Sequence, residues 1–162
     1  MARPSSRTTA QSAGLLVYRM RDGVSEVLLV HPGGPFWKRR DEGAWSIPKG
    51  EIEPGEDPVD VAHREFREEL GDDPPDGQLA SLGTVRQAGG KVVHAWAVRG
   101  DFDPGALQSM AFEMEWPPRS GRKASFPEVD RAQWFSIEEA RRKILPGQSP
   151  FIDRLLAALG AA

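Results

Sequence analysis

The chain has 162 residues, 39% of them hydrophobic and 28% charged, which fits one soluble globular domain with a sizeable core and excludes a disordered chain. A net charge of −3, from 21 basic and 24 acidic residues, gives no support to bulk nucleic-acid binding, although a local basic patch would serve a nucleotide. With no cysteine there is no disulfide, thiolate nucleophile or thiolate zinc site, and His31, His63 and His94 show no ligand spacing.

Residues 1–11, "MARPSSRTTAQ", lack the apolar segment of a signal peptide and read as a flexible tail. A single domain is expected over 12–160, and no apolar run approaches a membrane span, so the cytoplasm is the expected location. Ser12 to Arg19 and Glu26 to Val30 are β-prone runs joined by "MRDGVS", a hairpin. The Gly- and Pro-rich loop "HPGGPFWKRRDEG" follows, and "AWSIP" (Ala44 to Pro48) predicts a brief strand. Asp57-Pro58 predicts a helix start, Val59, Ala62, Phe66 and Leu70 its apolar stripe, and Gly71 its stop.

After the loop "DDPPDGQ", Ala80 to Gln87 and Lys91 to Val98 predict a second hairpin. Phe112 to Trp116 predicts a strand, "PPRSGRKASFPE" a second long basic loop, and Arg131 to Phe135 a strand end. Ser136, with Glu139 three residues on, opens a helix that Pro146 ends, and Ser149-Pro150 opens a last helix to about Leu159. No repeat or linker divides the chain. The order of elements predicts a mixed α/β domain with a partly antiparallel sheet.

The stretch "GEIEPGEDPVDVAHREFREELGD", Gly50 to Asp72, holds nine acidic residues in 23 positions. At about 100° per residue, Arg64, Glu65, Glu68 and Glu69 fall within an arc of roughly 140°, away from the apolar stripe. Solvated helix surface is the ordinary reading of such a face. Two penalties argue against it: Glu65 and Glu69 repel at i, i+4, and Glu68 and Glu69 sit in the last turn, where the helix dipole disfavours anions. A divalent cation reverses the sign of both. Oxygen donors without cysteine or clustered histidine favour Mg²⁺ or Mn²⁺ over Zn²⁺.

Gly50, Glu56, Arg64, Glu65, Phe66, Glu68, Glu69 and Gly71 stand at the spacing of the Nudix box, and the stretch closely resembles that signature of Nudix hydrolases. One position departs: Asp72 stands where the family usually has an aliphatic residue. The resemblance implies a Nudix fold, a mixed parallel and antiparallel sheet sandwiched between helices, and hydrolysis of a nucleoside diphosphate linked to another moiety. It assigns Glu65, Glu68 and Glu69 as metal-binding glutamates, Arg64 as their orienting partner and Glu56 to a structural or outer-shell metal role. It also assigns the Lys49 carbonyl as a metal ligand. A further glutamate outside the box, as metal ligand or general base, is open among Glu113, Glu115 and Glu128.

Phosphates need cations, and Lys38, Arg39 and Arg40 in one loop and Arg119, Arg122 and Lys123 in the other are candidates, as is Lys49 beside the box. For any single one of these, ordinary solvated loop charge is the competing reading. Of the five tryptophans, Trp45, Trp96 and Trp134 read as core, while Trp37 and Trp116 flank the loops as candidate base contacts, with Phe36 and Phe126 behind them. The run Pro48-Lys49-Gly50 is similar to that of diadenosine-polyphosphate-type members, which points to dinucleoside polyphosphates; nucleoside triphosphates and ADP-ribose-like nucleotide sugars are the alternatives. From another class, a nucleotide-sensing module without catalysis remains open. The expected partner is a small nucleotide, not a membrane or a nucleic acid, and the protein is expected to be a monomer or homodimer.

Overall fold

A computed structural model describes residues 10–160. The expected tail lies outside these residues except at its end, where Gln11 already belongs to the first strand. Strands β1 (Gln11–Arg21) and β2 (Val24–Pro32) form the expected hairpin, closed by Asp22 and Gly23 at positive φ. β3 (Lys49–Glu51) pairs antiparallel with the start of β1. β4 (Ala80–Arg86) and β5 (Val92–Arg99) form the second hairpin, and β5 runs parallel to β1 along its length. β8 (Val129–Ser136) completes the sheet beside β2, giving the order β4-β5-β1-β2-β8.

Alternation along the two central strands divides the core in two. Leu16, Val27 and Leu29 face one side, where α2 (Ile137–Lys143) and α3 (Pro150–Ala158) supply Ala140, Phe151, Ile152 and Leu155. Leu15, Val17, Leu28 and Val30 face the other, where α1 (Pro58–Leu70) supplies Val61, Ala62, Phe66 and Leu70. The expected sandwich of a mixed sheet between helices is thus the observed one.

Three local expectations are corrected. The buried stripe of α1 uses Val61 where Val59 was expected; Val59 sits in the first turn, where its amide is taken by the Asp57 side chain. Ala44 to Pro48 is no ladder strand. It makes one bridge through Ser46 to Val30 and one through Trp45 to Ile144, because it crosses from the sheet to the end of α2. The second basic loop contains a strand, β7 (Lys123–Pro127), which pairs with β6 (Ala111–Glu115) as a separate hairpin. Phe112, Met114, Ala124 and Phe126 lie half-buried on one face of that hairpin, with the charged residues between them exposed. Among the described residues no helix is long and apolar enough to cross a membrane.

Candidate functional site

The site is built on α1. Asp57 caps its start, Pro58 occupies the first turn, and Gly71 ends it in the left-handed region at φ 79°. With Phe66 and Leu70 locked in the core, Glu65 just before them and Glu68 and Glu69 between them face β3 and the crossing segment. These three line a cleft of about 570 Å³ with Lys49, Lys91 and Glu128.

Gly50 explains how closely β3 approaches. A methyl group there would lie 1.9 Å from the Glu65 carboxyl carbon, so the Glu65 carboxylate occupies the space of the missing side chain. Arg64 pairs with Glu56 through two nitrogens and lies 3.8 Å from Glu65 and 4.0 Å from Glu68. Glu56 also accepts from the Glu53 amide, and the pair holds its carboxyl below the usual range. Glu56 thus faces Arg64 rather than the cleft.

The electrostatics are those of a site short of positive charge. Burial, then the neighbouring Glu68 carboxylate, raises Glu65. Burial raises Glu69 to about 8, against the pull of Lys49, and Glu65 and Glu128 add to the rise. Glu69 Oε2 is buried and has no hydrogen-bond partner among the described residues. The Lys49 ammonium is itself pushed down by burial, with Glu69 and Glu65 opposing. A buried oxygen without a donor, amid crowded carboxylates, fits a hard divalent cation. Among the described residues no three acidic or histidine side chains close tightly enough to cage an ion alone. An ion that keeps waters and bridges to phosphates does not require such a cage.

Glu128 enters the cleft by long-range pairing. It is the single residue between β7 and β8, its amide donates to the Met110 carbonyl, and its carbonyl accepts from Gly33. Met110 in turn donates to the Glu68 carbonyl, and Gln108 to that of Leu70, so segment 108–110 covers the free end of α1. Glu113 and Glu115, the other two candidates, lie exposed on β6 and do not line the cleft. Asp72 turns outward: it is exposed, and its carboxylate accepts from the Asp73 amide. The departure from the family pattern therefore leaves the glutamates untouched.

None of the loop candidates lines the cleft. Pro32 and Val129 line it, and Gly33 follows, where a methyl group would lie 1.9 Å from the Pro127 carbonyl oxygen and so has no room. Next comes Phe36, 61% exposed, in an edge contact with Trp116 at 5.5 Å between centroids. Lys38, Arg39 and Arg119 are exposed, and Trp37 is half-buried under the Arg40 guanidinium at 5.4 Å. Trp45 is buried as expected, and Trp96 and Trp134 pack on the core.

Sequence reasoning passed over His31 and Gln148, two of the few buried polar residues. His31 places Nδ1 2.7 Å from Asp130 and Nε2 2.6 Å from the Arg40 carbonyl, which ties the basic loop to the sheet. No local pattern announces such a role, since both partners are set by the fold.

The NUDIX domain family model matches residues 8–155. A curated relative, the RNA pyrophosphohydrolase of Halorhodospira halophila, is 38% identical over 68 residues, covering 41% of this chain and only 36% of that protein. Among solved structures, a C. elegans Ap4A hydrolase binary complex superposes with a TM-score of 0.63 over 94% of this chain and 98% of that chain, at 24% identity. The NUDIX domain of Shewanella oneidensis NrtR, solved with ADP ribose, gives 0.64 over 94% and 90%, at 17% identity. At these identities the structural likeness speaks for the fold alone.

Proposed function

Since the chain belongs to the Nudix family, we propose that it is a metal-dependent hydrolase of a phosphoanhydride bond in a nucleoside diphosphate linked to another moiety. The observation that carries this reading is the convergence of Glu65, Glu68, Glu69 and Glu128 with Lys49 in one cleft, one of the carboxylates having a buried oxygen without a donor. Mg²⁺ or Mn²⁺ bound there would neutralise pyrophosphate charge and acidify a water for in-line attack on phosphorus.

The residues divide the work. Glu65, Glu68 and Glu69, with the Lys49 carbonyl, would hold the cation, and Arg64 orients the carboxylates while anchored by Glu56. Glu128, at the mouth of the cleft, accepts the proton of the attacking water. The Lys49 ammonium binds a phosphate oxygen. Replacing Glu68 or Glu69 by Gln is expected to lower turnover by about a hundredfold or more at saturating Mg²⁺. Near-normal turnover in both would sink the assignment.

Dinucleoside polyphosphates are the favoured substrates. The exposed Phe36 and half-buried Trp116 offer a stacking face beyond the rim, and Lys38, Arg39 and Arg119 suit a phosphate chain longer than the cleft. A 5′-triphosphorylated RNA end is the second reading, favoured by the curated relatives' activity. The test is a Mg²⁺-dependent screen over diadenosine tetraphosphate, ATP, ADP-ribose and a 5′-triphosphorylated oligoribonucleotide, with products identified by mass and EDTA as control. Preference for the dinucleotide supports the first reading and preference for the oligonucleotide the second. Binding without any cleavage would make the domain a nucleotide sensor instead.

A further inference from the structure

Gln148 is fully buried, yet it lies between helices α2 and α3, far in sequence from the acidic box. A buried primary amide is unfavourable unless its donors and acceptor are all engaged, and here they are. Its Oε1 accepts from the Ile47 amide at 3.0 Å and stands 3.3 Å from the Ser46 hydroxyl. Its Nε2 donates to Ser46 Oγ at 2.9 Å and to Gln87 Oε1 at 2.8 Å. Three of these four contacts fall on two consecutive residues, Ser46 and Ile47, both of which line the cleft.

That segment needs such a partner. Ser46 spends both its backbone groups on Val30, and two residues on, the Pro48 carbonyl accepts from Leu15. Between them the Ile47 amide has no strand to pair with, and Gln148 supplies the missing acceptor. Pro48 then fixes its own φ, so the orientation set at Ile47 passes directly to Lys49. No slack exists on the far side either: a methyl group at Gly14 would lie 2.4 Å from the Pro48 carbonyl oxygen and 2.8 Å from the Lys49 Cβ.

We propose that Gln148 is a positioning residue of the hydrolytic site: it fixes Ser46–Ile47 and thereby aims Lys49, side chain and carbonyl together, at the box glutamates. The inference rests on the hydrolase reading above. Gln148 touches neither metal nor substrate; it acts through the backbone of the cleft wall. His31 plays no part in this contact, since it anchors the opposite, basic loop.

The experiment compares Gln148→Leu with Gln148→Glu. Leu keeps the volume and loses every hydrogen bond. Glu keeps an acceptor for the Ile47 amide, and the Ser46 hydroxyl and a flipped Gln87 amide can both donate to it. Mn²⁺ binding to the substrate-free protein, followed by electron paramagnetic resonance, is expected to weaken by about tenfold in the Leu variant and to recover within about threefold in the Glu variant. The Ile47 and Lys49 amide resonances should move with it. Should the Leu variant fail to fold, Gln87→Met releases Nε2 while sparing the Ile47 bond, and a smaller weakening in the same direction is expected. A purely structural glutamine would lower the melting temperature while leaving Mn²⁺ binding and the Lys49 resonance at wild-type values, and that result would overturn the proposal. Failure of the hydrolase reading is distinguishable, because wild-type protein would then cleave no nucleotide, whether or not it bound Mn²⁺.

Discussion

Gly50 and Glu65 show how one residue's absence of a side chain serves another's chemistry. The carboxylate lies where a Cβ substituent would go, and it is the far end of a flexible side chain rather than backbone. Gly50→Ala can therefore be relieved by swinging Glu65 aside, at small expense to the fold. The expected result is a melting temperature within about 3 °C of wild type. Activity, by contrast, should fall by about a hundredfold, since a displacement of an ångström at the reacting centre is enough for that. Circular dichroism melts beside turnover measurements check the pair. If activity and stability fell together, the glycine would be serving the backbone and not the glutamate.

Helix α1 is the element on which the site stands, and its start depends on Asp57, whose side chain accepts from the Val59 amide at 3.2 Å. Asp57→Ala is expected to destabilise the protein by about 1 kcal/mol in urea unfolding, with turnover unchanged at temperatures where the protein is folded. A loss below the error of the method would mean that tertiary packing alone fixes the helix start. Such local signals made α1 legible: a cap, a proline, a glycine stop and helical periodicity all lie within the segment itself. Val61 was missed because it lies about 160° around the helix from Val59, outside the i, i+3, i+4 stripe and on the side of the acidic arc. Its burial depends on the sheet packed over it and not on the local pattern. β7 was hidden by Pro127 and the charges around it, although Ala124 and Phe126 alternate with exposed Lys123 and Ser125 as a strand should. Glu128 could not be separated from Glu113 and Glu115, because its place depends on Met110 and Gly33, partners that no local pattern reveals. The same holds for the parallel pairing of β1 with β5 and for Gln148. Where position is set by distant partners, sequence offers residue types but not their meeting.

At the scale of the whole molecule, the crowded cleft makes stability depend on pH in a direction opposite to most carboxylates. Glu69 titrates at about 8 in the folded protein against an ordinary 4.5, and Glu65 is shifted upward too. Between those values the folded state binds more protons than the unfolded one, so metal-free stability must fall as pH rises from about 4.5 to about 8. Lys49, whose ammonium is pushed down from its ordinary 10.5 by burial, acts in the other sense as pH rises toward that value. Glu56, Asp41 and Asp101, all held below the usual range by their partners, contribute stability that is lost only at more acidic pH. A bound divalent cation compensates the ionised glutamates, so the stabilisation it gives should grow across the same window. Melting temperatures recorded from pH 5 to 8, with EDTA and with Mg²⁺, should diverge steadily toward alkaline pH, the EDTA curve falling. Glu69→Gln, neutral at every pH, should flatten that fall and leave the metal-free variant several degrees more stable than wild type at pH 8, even as it loses activity. Parallel curves, or a Glu69→Gln variant that keeps the full slope, would mean that the proton on Glu69 does not govern the balance between fold and site.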